Sequence, residues 1–220
     1  VDWLEQIEAH FLADRNVGGV GGRDFLYIND QLVEGAKKTV GKLQWFGRAV
    51  GNHHLGVGDA REVDILKGAN MSFHQNAIAG LRFDERLRGT GAQVHNDLSF
   101  CLAVRQRGWK LIYNPSVAID HYFSLRFDED MRDKFNYVAL VNQVHNQTLV
   151  LLEYLSPLQL IVFFLWTILF GTSANRGCLQ TLRFLPSEGI LALQKWLANI
   201  QGLWRGCQTW RQTRVAIYEK

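Results

Sequence analysis

The chain has 220 residues, of which 47% are hydrophobic and 20% are charged, and its formal net charge is +3. This composition is typical of globular proteins and excludes a low-complexity chain. A net charge this small gives no argument for nucleic-acid binding. The three cysteines, Cys101, Cys178 and Cys207, show neither a metal-binding spacing nor a disulfide framework, which suits a reducing compartment.

The N-terminal part of the sequence predicts a helix followed by a strand. Apolar residues at helical spacing predict an amphipathic helix over residues 2–13. Because the sequence opens inside this pattern, we interpret the chain as a fragment of a longer protein, with a processed mature terminus as the alternative. Residues 17–28 predict a glycine-rich turn and then a strand over residues 25–28, and residues 29–62 predict a polar connection.

A tight turn separates the next two predicted elements. Residues 63–66 predict a short strand, and residues 68–70 predict the turn that follows it. The turn leads into a predicted helix over residues 72–79. Residues 81–95, which contain two glycines, predict a loop.

The following helix has a start signal and a stop signal. Asn96 is a favourable N-cap, and Gly108 predicts the end of the helix. Two short strands are then predicted, over residues 110–113 and 117–119. Strands and helices mixed in this way predict an α/β domain over residues 1–127.

The pattern becomes helical after residue 127. Residues 129–155 predict one long helix, and residues 158–170 form an almost purely apolar segment. Residues 179–215 predict amphipathic helix, with breaks at Pro186, Gly189, Gly202 and Gly206. A helical C-terminal region is therefore predicted over residues 128–220.

Six short motifs occur in a fixed order along the α/β part. Each is weak by itself, because glycine-rich turns and acidic residues at helix starts are common. Four of them are VGGVGGRD (17–24), LKGANMSF (66–73), HNDL (95–98) and IDHY (119–122), and the others are GLRFDE (80–85) and GWKLIYNP (108–115). Together they resemble the second half of family 2 glycosyltransferases, from about residue 2 to residue 122. The resemblance implies part of a GT-A (Rossmann-like) domain.

The resemblance also implies roles for individual residues. The family's catalytic base is the aspartate of a Glu-Asp pair that opens a helix, and Asp97 matches it. Asn96 replaces the preceding acid and is expected to contact substrate. The family's Gly-Ala-Asn turn borders the substrate pocket, which points to Gly68, Ala69 and Asn70. The family's histidine after the last core strand, which helps to bind the metal or the diphosphate, is matched by His121.

The implied reaction transfers a sugar from a nucleotide-sugar donor to an acceptor hydroxyl with inversion. A carboxylate such as Asp97 can accept the proton of that hydroxyl, and a helix N-terminus favours its ionised form. A divalent cation, Mg²⁺ or Mn²⁺, stabilises the leaving diphosphate. The family's Asp-x-Asp metal motif and its nucleotide-binding half are not in this sequence, so we expect most metal ligands to lie outside the chain, and the isolated chain to be inactive.

Several of these residues have a structural alternative. Asp97 could be a capping carboxylate, His121 a hydrogen-bonded core histidine, and Asn70 a turn residue. Arg23 and Asp24 are expected to form an ion pair. The neighbouring pair of histidines, residues 53–54, is interpreted as part of a loop near the site.

The C-terminal region raises the question of membrane contact. The apolar segment 158–170 has 13 residues, fewer than the roughly 20 needed to span a bilayer. A buried core helix or an interfacial segment therefore remains open. From residue 176 to residue 220 there are seven Lys or Arg against two Glu, and three tryptophans. Because this composition suits an anionic lipid surface, we predict association with the cytoplasmic face of a membrane.

The sequence therefore predicts part of a metal-dependent hexosyltransferase-type enzyme of cell-envelope polysaccharide or glycolipid synthesis. The acceptor would be a saccharide or a lipid-linked saccharide. A non-catalytic, membrane-attached interaction module with a degenerate transferase fold is the main alternative. A nucleotidyltransferase is less favoured, because that activity does not call for this order of motifs.

Overall fold

The computed structural model describes residues 3–91, 93–124 and 134–218, with side chains to residue 214. The chain divides into two compact units. The first, here called the sheet unit, comprises residues 1–44, 48–83 and 97–124. The second, the helical unit, comprises residues 45–47, 84–96 and 125–220. Strands and helices are mixed as predicted, which confirms the α/β class. The predicted domain boundary at residue 127 stays a prediction.

A mixed sheet forms the centre of the sheet unit. The strands are β1 (Val17–Ile28), β2 (Gln31–Leu32), β3 (Lys42–Leu43), β4 (Ala49–Val50), β5 (Arg61–Val63), β6 (Met71–Phe73) and β7 (Lys110–Tyr122). β1 and β7 pair in parallel, β5 lies antiparallel on the other side of β7, and β2 and β6 pair antiparallel with β1. β3 and β4 form a separate two-stranded sheet.

The glycine-rich segment was predicted to be a turn, and this prediction is wrong, because residues 17–24 belong to β1. Its glycines allow close backbone contacts. A Cβ atom on Gly22 would lie 1.8 Å from the carbonyl oxygen of Val117 in β7, and one on Gly21 would lie 2.4 Å from the carbonyl oxygen of Asn70. Glycine is therefore required by the neighbouring chain segments rather than by a turn conformation.

β7 replaces two predicted short strands with one long strand that contains an irregularity. Gly22 of β1 is paired with Asn114 and Asp24 with Ile119, so residues 115–118 bulge out of the ladder. Pro115 lies in this bulge, where a missing N–H removes no ladder hydrogen bond. Beyond the bulge, the register places Leu26 opposite His121.

Three α-helices and one short 3₁₀ helix belong to this part of the fold. They are α1 (Trp3–Ala13), α2 (Gln75–Ile78), α3 (Asn96–Gln106) and the 3₁₀ helix His53–Leu55. The predictions of α1 and of α3 are confirmed, and Gly108 ends α3 with a positive φ of 87°. The predicted helix over residues 72–79 is only partly correct, because β6 takes up its first residues. The predicted strand over residues 63–66 lies two residues too late.

The core of the sheet unit lies between α3 and the sheet. Apolar side chains from the loops, from α3 and from β7 meet there, and they include Val63, Leu66, Cys101, Val104, Leu111 and Tyr113. Burial raises the pKa of the Cys101 thiol to about 12, so this cysteine stays protonated.

Four helices make up the helical unit: α4 (Tyr137–Tyr154), α5 (Pro157–Leu169), α6 (Cys178–Glu188) and α7 (Ile190–Tyr218). Asn136 caps α4, since its Oδ1 accepts from the backbone N–H groups of Val138 and Ala139 at 2.9 and 3.1 Å. α4 therefore begins later than the predicted residue 129, and residues 129–133 of that prediction lie outside the described residues. Ser156 and Gln159 form a capping box at α5, whose first residue is Pro157.

α7 continues through two glycines at which breaks were predicted. Gly189, with a φ of 57°, does separate α6 from α7, but the predictions at Gly202 and Gly206 are wrong. A Cβ on Gly202 would lie 2.5 Å from Val144 Cβ, and one on Gly206 would lie 2.7 Å from Thr148 Cβ. These glycines let α7 lie close to α4. Pro186 is accommodated within α6, so the break predicted there is also wrong.

None of the helices in the described residues is both long enough and apolar enough to cross a bilayer.

Candidate active site

Asp24 lies at the centre of a buried charge cluster in the sheet unit. Its side chain is fully buried, and its Oδ2 accepts hydrogen bonds from the Lys67 ammonium and, over 3.2 Å, from His121 Nδ1. Burying an unpaired carboxylate is costly, so these two partners are what allows Asp24 to occupy this position. The other carboxylate oxygen, Oδ1, is buried without a hydrogen-bond partner among the described residues.

The bond to Asp24 fixes the orientation of the His121 ring. Since a carboxylate can only accept, Nδ1 carries the hydrogen, and the lone pair of the neutral ring is on Nε2. The side chain is 27% exposed, and no hydrogen bond joins Nε2 to any residue in the described part of the chain. A carboxylate on one ring nitrogen is how proteins orient an imidazole whose other nitrogen binds a metal or exchanges a proton. Among the described residues, His121 Nε2 therefore has no partner, and a ligand could bind to it.

Arg23 does not pair with Asp24, so the predicted ion pair is wrong. Successive residues of a strand point to opposite faces of the sheet. Arg23 donates instead to the carbonyl oxygen of His54 over 3.2 Å, and its guanidinium lies 4.7 Å from the centre of the Phe25 ring. Lys67, whose side chain is 30% exposed, is the cation that neutralises Asp24.

Lys67 directly precedes the Gly-Ala-Asn turn that was expected to border a substrate pocket. The turn is confirmed, and Gly68 and Ala69 are exposed on it. Asn70 is buried at 3% exposure, and its Nδ2 donates to the carbonyl oxygens of Val117 at 2.8 Å and Arg23 at 3.4 Å. A ligand can therefore reach the turn through the two exposed residues, while the Asn70 amide ties the turn to β1 and β7.

The first helix of the chain also depends on Asn70. Its Oδ1 accepts a hydrogen bond of 3.1 Å from the indole Nε1 of Trp3 in α1. All of these contacts are those of a structural residue. A substrate-binding role for Asn70 stays a prediction.

Asp97, the predicted base, lies in the first turn of α3 and is half-buried. Its Oδ1 accepts from the backbone N–H of Leu98 over 2.8 Å. Burial lowers the pKa of His53, and the negative charges of Asp24 and Asp97 oppose that effect. Both carboxylates thus lie close enough to His53 to act on the same ring.

His53 itself is a core residue. It is 6% exposed, and its Nε2 lies 2.9 Å from the carbonyl oxygen of Ile65. The ring packs edge-on against Tyr113, whose hydroxyl donates to the His53 carbonyl over 2.8 Å. His53 therefore supports the site from inside rather than contacting a ligand.

Asn96 was predicted to cap α3 with its side chain, and this prediction is wrong. α3 already includes Asn96, whose backbone N–H donates to the Gln93 carbonyl over 3.2 Å. The side-chain Oδ1 is buried and has no hydrogen-bond partner in the part of the chain that the structure describes. A buried amide oxygen without a hydrogen bond costs free energy, so a ligand that donates to it would be stabilised there. The substrate-binding role assigned to Asn96 stays a prediction.

No group of three His, Cys, Asp or Glu residues among the described residues is arranged to hold a metal ion. The donor set at His121 amounts to one free imidazole nitrogen, with the nearest carboxylate already neutralised by Lys67. His121 could thus be one ligand of a cation whose other ligands come from elsewhere.

Sequence reasoning named His121, whose role as a metal ligand stays a prediction, and did not identify its partners Asp24 and Lys67. The sequence did contain a signal for Asp24. If residues 17–24 had been interpreted as a strand, the side chains of Arg23 and Asp24 would have been expected on opposite faces of the sheet. Lys67 offered no such signal, because it meets Asp24 only through the tertiary fold. No hydrogen bond or ion pair among the described residues joins Asp97 to His121.

Comparison with known proteins leaves the chain without an assigned family. No family model matches its sequence, and neither does any curated protein.

Proposed function

We propose that this chain is the acceptor-side part of an inverting glycosyltransferase that transfers a sugar from a nucleotide sugar to an acceptor hydroxyl. One observation carries the proposal: His121, oriented by Asp24 and accompanied by Lys67, lies in the same compact unit as Asp97. Displacement at a nucleotide sugar needs a proton acceptor for the nucleophile and positive charge for the leaving diphosphate. Asp97 supplies the first, the Lys67 ammonium contributes to the second, and His121 would contribute to it by holding a metal ion.

Asp97 acts on the acceptor. Asp97 is a half-buried carboxylate in the first turn of α3, a position from which it can accept the proton of a hydroxyl bound beside it. It takes the hydroxyl proton while the new bond to the anomeric carbon forms and the bond to the diphosphate breaks. A single displacement of this kind inverts the anomeric centre and leaves no covalent intermediate on the enzyme.

The Asp24 cluster acts on the leaving group. The Lys67 ammonium has three N–H donors, and its side chain is partly exposed. It can therefore donate to a phosphate oxygen while it keeps its bond to Asp24. His121 presents Nε2 in the orientation that Asp24 fixes. Mg²⁺ or Mn²⁺, when bound, supplies Lewis-acid charge, and His121 is the residue of this chain that would hold it.

The activity test uses the whole protein of which this chain is proposed to be a part. Asp97→Asn should abolish sugar transfer and leave nucleotide-sugar binding nearly unchanged, because only the proton acceptor is lost. Asp59→Asn, at an exposed turn position of the same unit, is the matched control and should transfer like the wild type. Undiminished turnover by Asp97→Asn would refute the assignment of the base. Absence of transfer by the wild type with every donor tried would favour the interaction-module alternative.

The leaving-group assignment can be tested on the 220-residue chain alone. Inorganic pyrophosphate serves as the probe, and its binding is followed by phosphorus NMR. Lys67→Met should weaken binding by about tenfold, as expected for the loss of one charge-assisted contact. Lys38→Met, at an exposed position of the same unit, should leave binding unchanged. Equal binding by Lys67→Met and the wild type would remove Lys67 from the site.

We also propose that the helical unit associates with a membrane surface at its cytoplasmic face. α5, α6 and α7 each expose apolar side chains at helical spacing: Leu158, Ile161 and Leu165 on α5, Leu179 and Leu182 on α6, and Ile190, Leu193 and Leu197 on α7. Exposed apolar surface of this kind marks an interaction site. The excess of Lys and Arg after residue 176 favours an anionic lipid surface as the partner.

Vesicle co-sedimentation of the 220-residue chain tests this association. Leu165 is 55% exposed in the middle of the α5 stripe, and Leu165→Glu should weaken binding to phosphatidylglycerol vesicles by about tenfold or more. Leu12 on α1 is 77% exposed but belongs to the sheet unit, so Leu12→Glu is the matched control. Equal loss in both variants, or no binding by the wild type, would contradict the proposal.

A further inference from the structure

An apolar groove lies between α5 and α7 within the helical unit. Its volume is about 460 Å³, within the range of small-molecule sites in proteins. Its lining is Phe164 and Ile168 of α5, with Ile200, Leu203, Trp204 and Cys207 of α7, followed by the polar residues Gln208, Arg211 and Gln212. The apolar residues thus occupy one end and the polar residues the other.

The dimensions of the groove suit a single hydrocarbon chain. The α7 residues of the lining run from Ile200 to Gln212, which corresponds to about 18 Å along the helix axis at 1.5 Å per residue. One leaflet of a bilayer has a hydrocarbon depth of about 15 Å, half of the roughly 30 Å core. An extended acyl chain of a membrane lipid therefore has the length of the groove.

The polar end of the groove carries a cationic side chain. Arg211 is exposed, and no ion pair joins it to an acid in the described part of the helical unit. Its charge is felt at the groove wall, where it opposes the effect of burial on the pKa of Cys207. Gln208 and Gln212 line the same end of the groove. A phosphate group at this end would lie beside the Arg211 guanidinium.

We propose that the α5–α7 groove binds one acyl chain of an anionic membrane phospholipid, with Arg211 contacting the phosphate. This proposal rests on the proposed membrane association, and it adds the class of lipid that is bound and the position at which it binds. The exposed apolar residues of α5 lead into the groove, since Ile168, which is 39% exposed, follows Leu165 by one turn and lines the groove. Trp204, which is 62% exposed, then lies where its indole would meet the lipid interface.

Cys207 provides a reporter inside the groove. Cys101 is fully buried, so the Cys178→Ser variant leaves Cys207 as the thiol that a maleimide can label. Monomeric lysophosphatidylglycerol, kept below its critical micelle concentration, is the probe. At a lipid concentration of about ten times Kd, labelling of Cys207 should slow about tenfold, because only the unoccupied fraction reacts.

A second variant controls for general effects of the lipid. Cys207→Ser leaves the exposed Cys178 as the reporter, and its labelling rate should not change with monomeric lipid. Lysophosphatidylcholine with the same acyl chain should protect Cys207 less well, because its phosphate is balanced by a cationic choline. Arg211→Gln should weaken protection by lysophosphatidylglycerol by about tenfold, and Arg211→Lys should restore part of it.

The outcomes separate the groove from the membrane surface. Unchanged Cys207 labelling with lysophosphatidylglycerol, alongside normal vesicle binding, would overturn the groove inference and leave the membrane proposal standing. Protection of Cys207 without vesicle binding would support the groove and contradict the membrane proposal. Protection that depends on protein concentration and not on lipid would show a second copy of the chain in the groove, and would overturn the inference.

Discussion

Replacing Asn70 by alanine separates a structural role of this residue from a ligand-binding one. The wild-type amide donates to the Val117 carbonyl over 2.8 Å and accepts from the Trp3 indole over 3.1 Å. The third contact, to the Arg23 carbonyl, is long at 3.4 Å. If the role of Asn70 is to form these hydrogen bonds, Asn70→Ala should have a lower free energy of unfolding than the wild type in the absence of any ligand.

The size of the loss follows from the burial of each bond. Removing the buried donor to Val117 is expected to cost about 1–3 kcal/mol, and the part-buried indole bond adds about 0.5–1.5 kcal/mol. The long contact to Arg23 adds little. The expected destabilisation is therefore about 2–4 kcal/mol, a large fraction of the stability of an ordinary domain. Asn70→Asp keeps the shape but sets an oxygen against the Val117 carbonyl, so it should destabilise at least as much.

Urea denaturation of the 220-residue chain measures this directly. A shift of the midpoint at constant m-value reports a change in stability. Asn76→Ala is the matched control, because Asn76 is exposed on α2 and should change stability by less than about 0.5 kcal/mol. A loss below about 0.5 kcal/mol in Asn70→Ala would refute the structural account and return Asn70 to the list of ligand-binding candidates.

Two further predictions concern stability. Gly22→Ala should prevent normal folding, because its Cβ would lie 1.8 Å from the Val117 carbonyl oxygen, whereas Gly51→Ala, with its nearest neighbour 3.9 Å away, should fold normally by circular dichroism. His145 is fully buried with Nε2 2.9 Å from Thr209 Oγ1, and burial lowers its pKa, so the unfolded chain binds the proton more readily. The free energy of unfolding should therefore fall as the pH drops below about 6.5, until the folded-state pKa is passed. The fall should be shallower in His145→Gln. An equal pH dependence in both proteins would contradict this prediction.

Helices were predicted well where the signal is local. The spacing of apolar residues located α1, and the glycine after α3 located its end, because both signals act within a few residues of sequence. α7 shows the limit of the same reasoning. Gly202 and Gly206 lower helix propensity, but their lack of a side chain lets α4 come close. Packing against another helix overrides a propensity cost of about 1 kcal/mol per glycine.

β1 shows a second limit. Four glycines within six residues favour a turn when only their own backbone freedom is considered. The structure uses them to admit the backbone of β7 and of the turn at residues 68–70, and neither neighbour is visible in the local sequence. The error over this strand then produced the error over Asp24, since a turn permits neighbouring side chains to meet and a strand does not.

The position of His121 is set by the bulge of β7 rather than by the residues around it. Asp24 pairs in register with Ile119, and Leu26 pairs with His121, because residues 115–118 bulge out before the ladder resumes. A slip of one residue would turn His121 to the opposite face of the sheet and break its bond to Asp24. Pro115 stands at the start of the bulge, where an ordinary ladder position would exclude it. Pro115 thus lies in the bulge that aligns His121 with the carboxylate of Asp24, which is 97 positions away in the sequence.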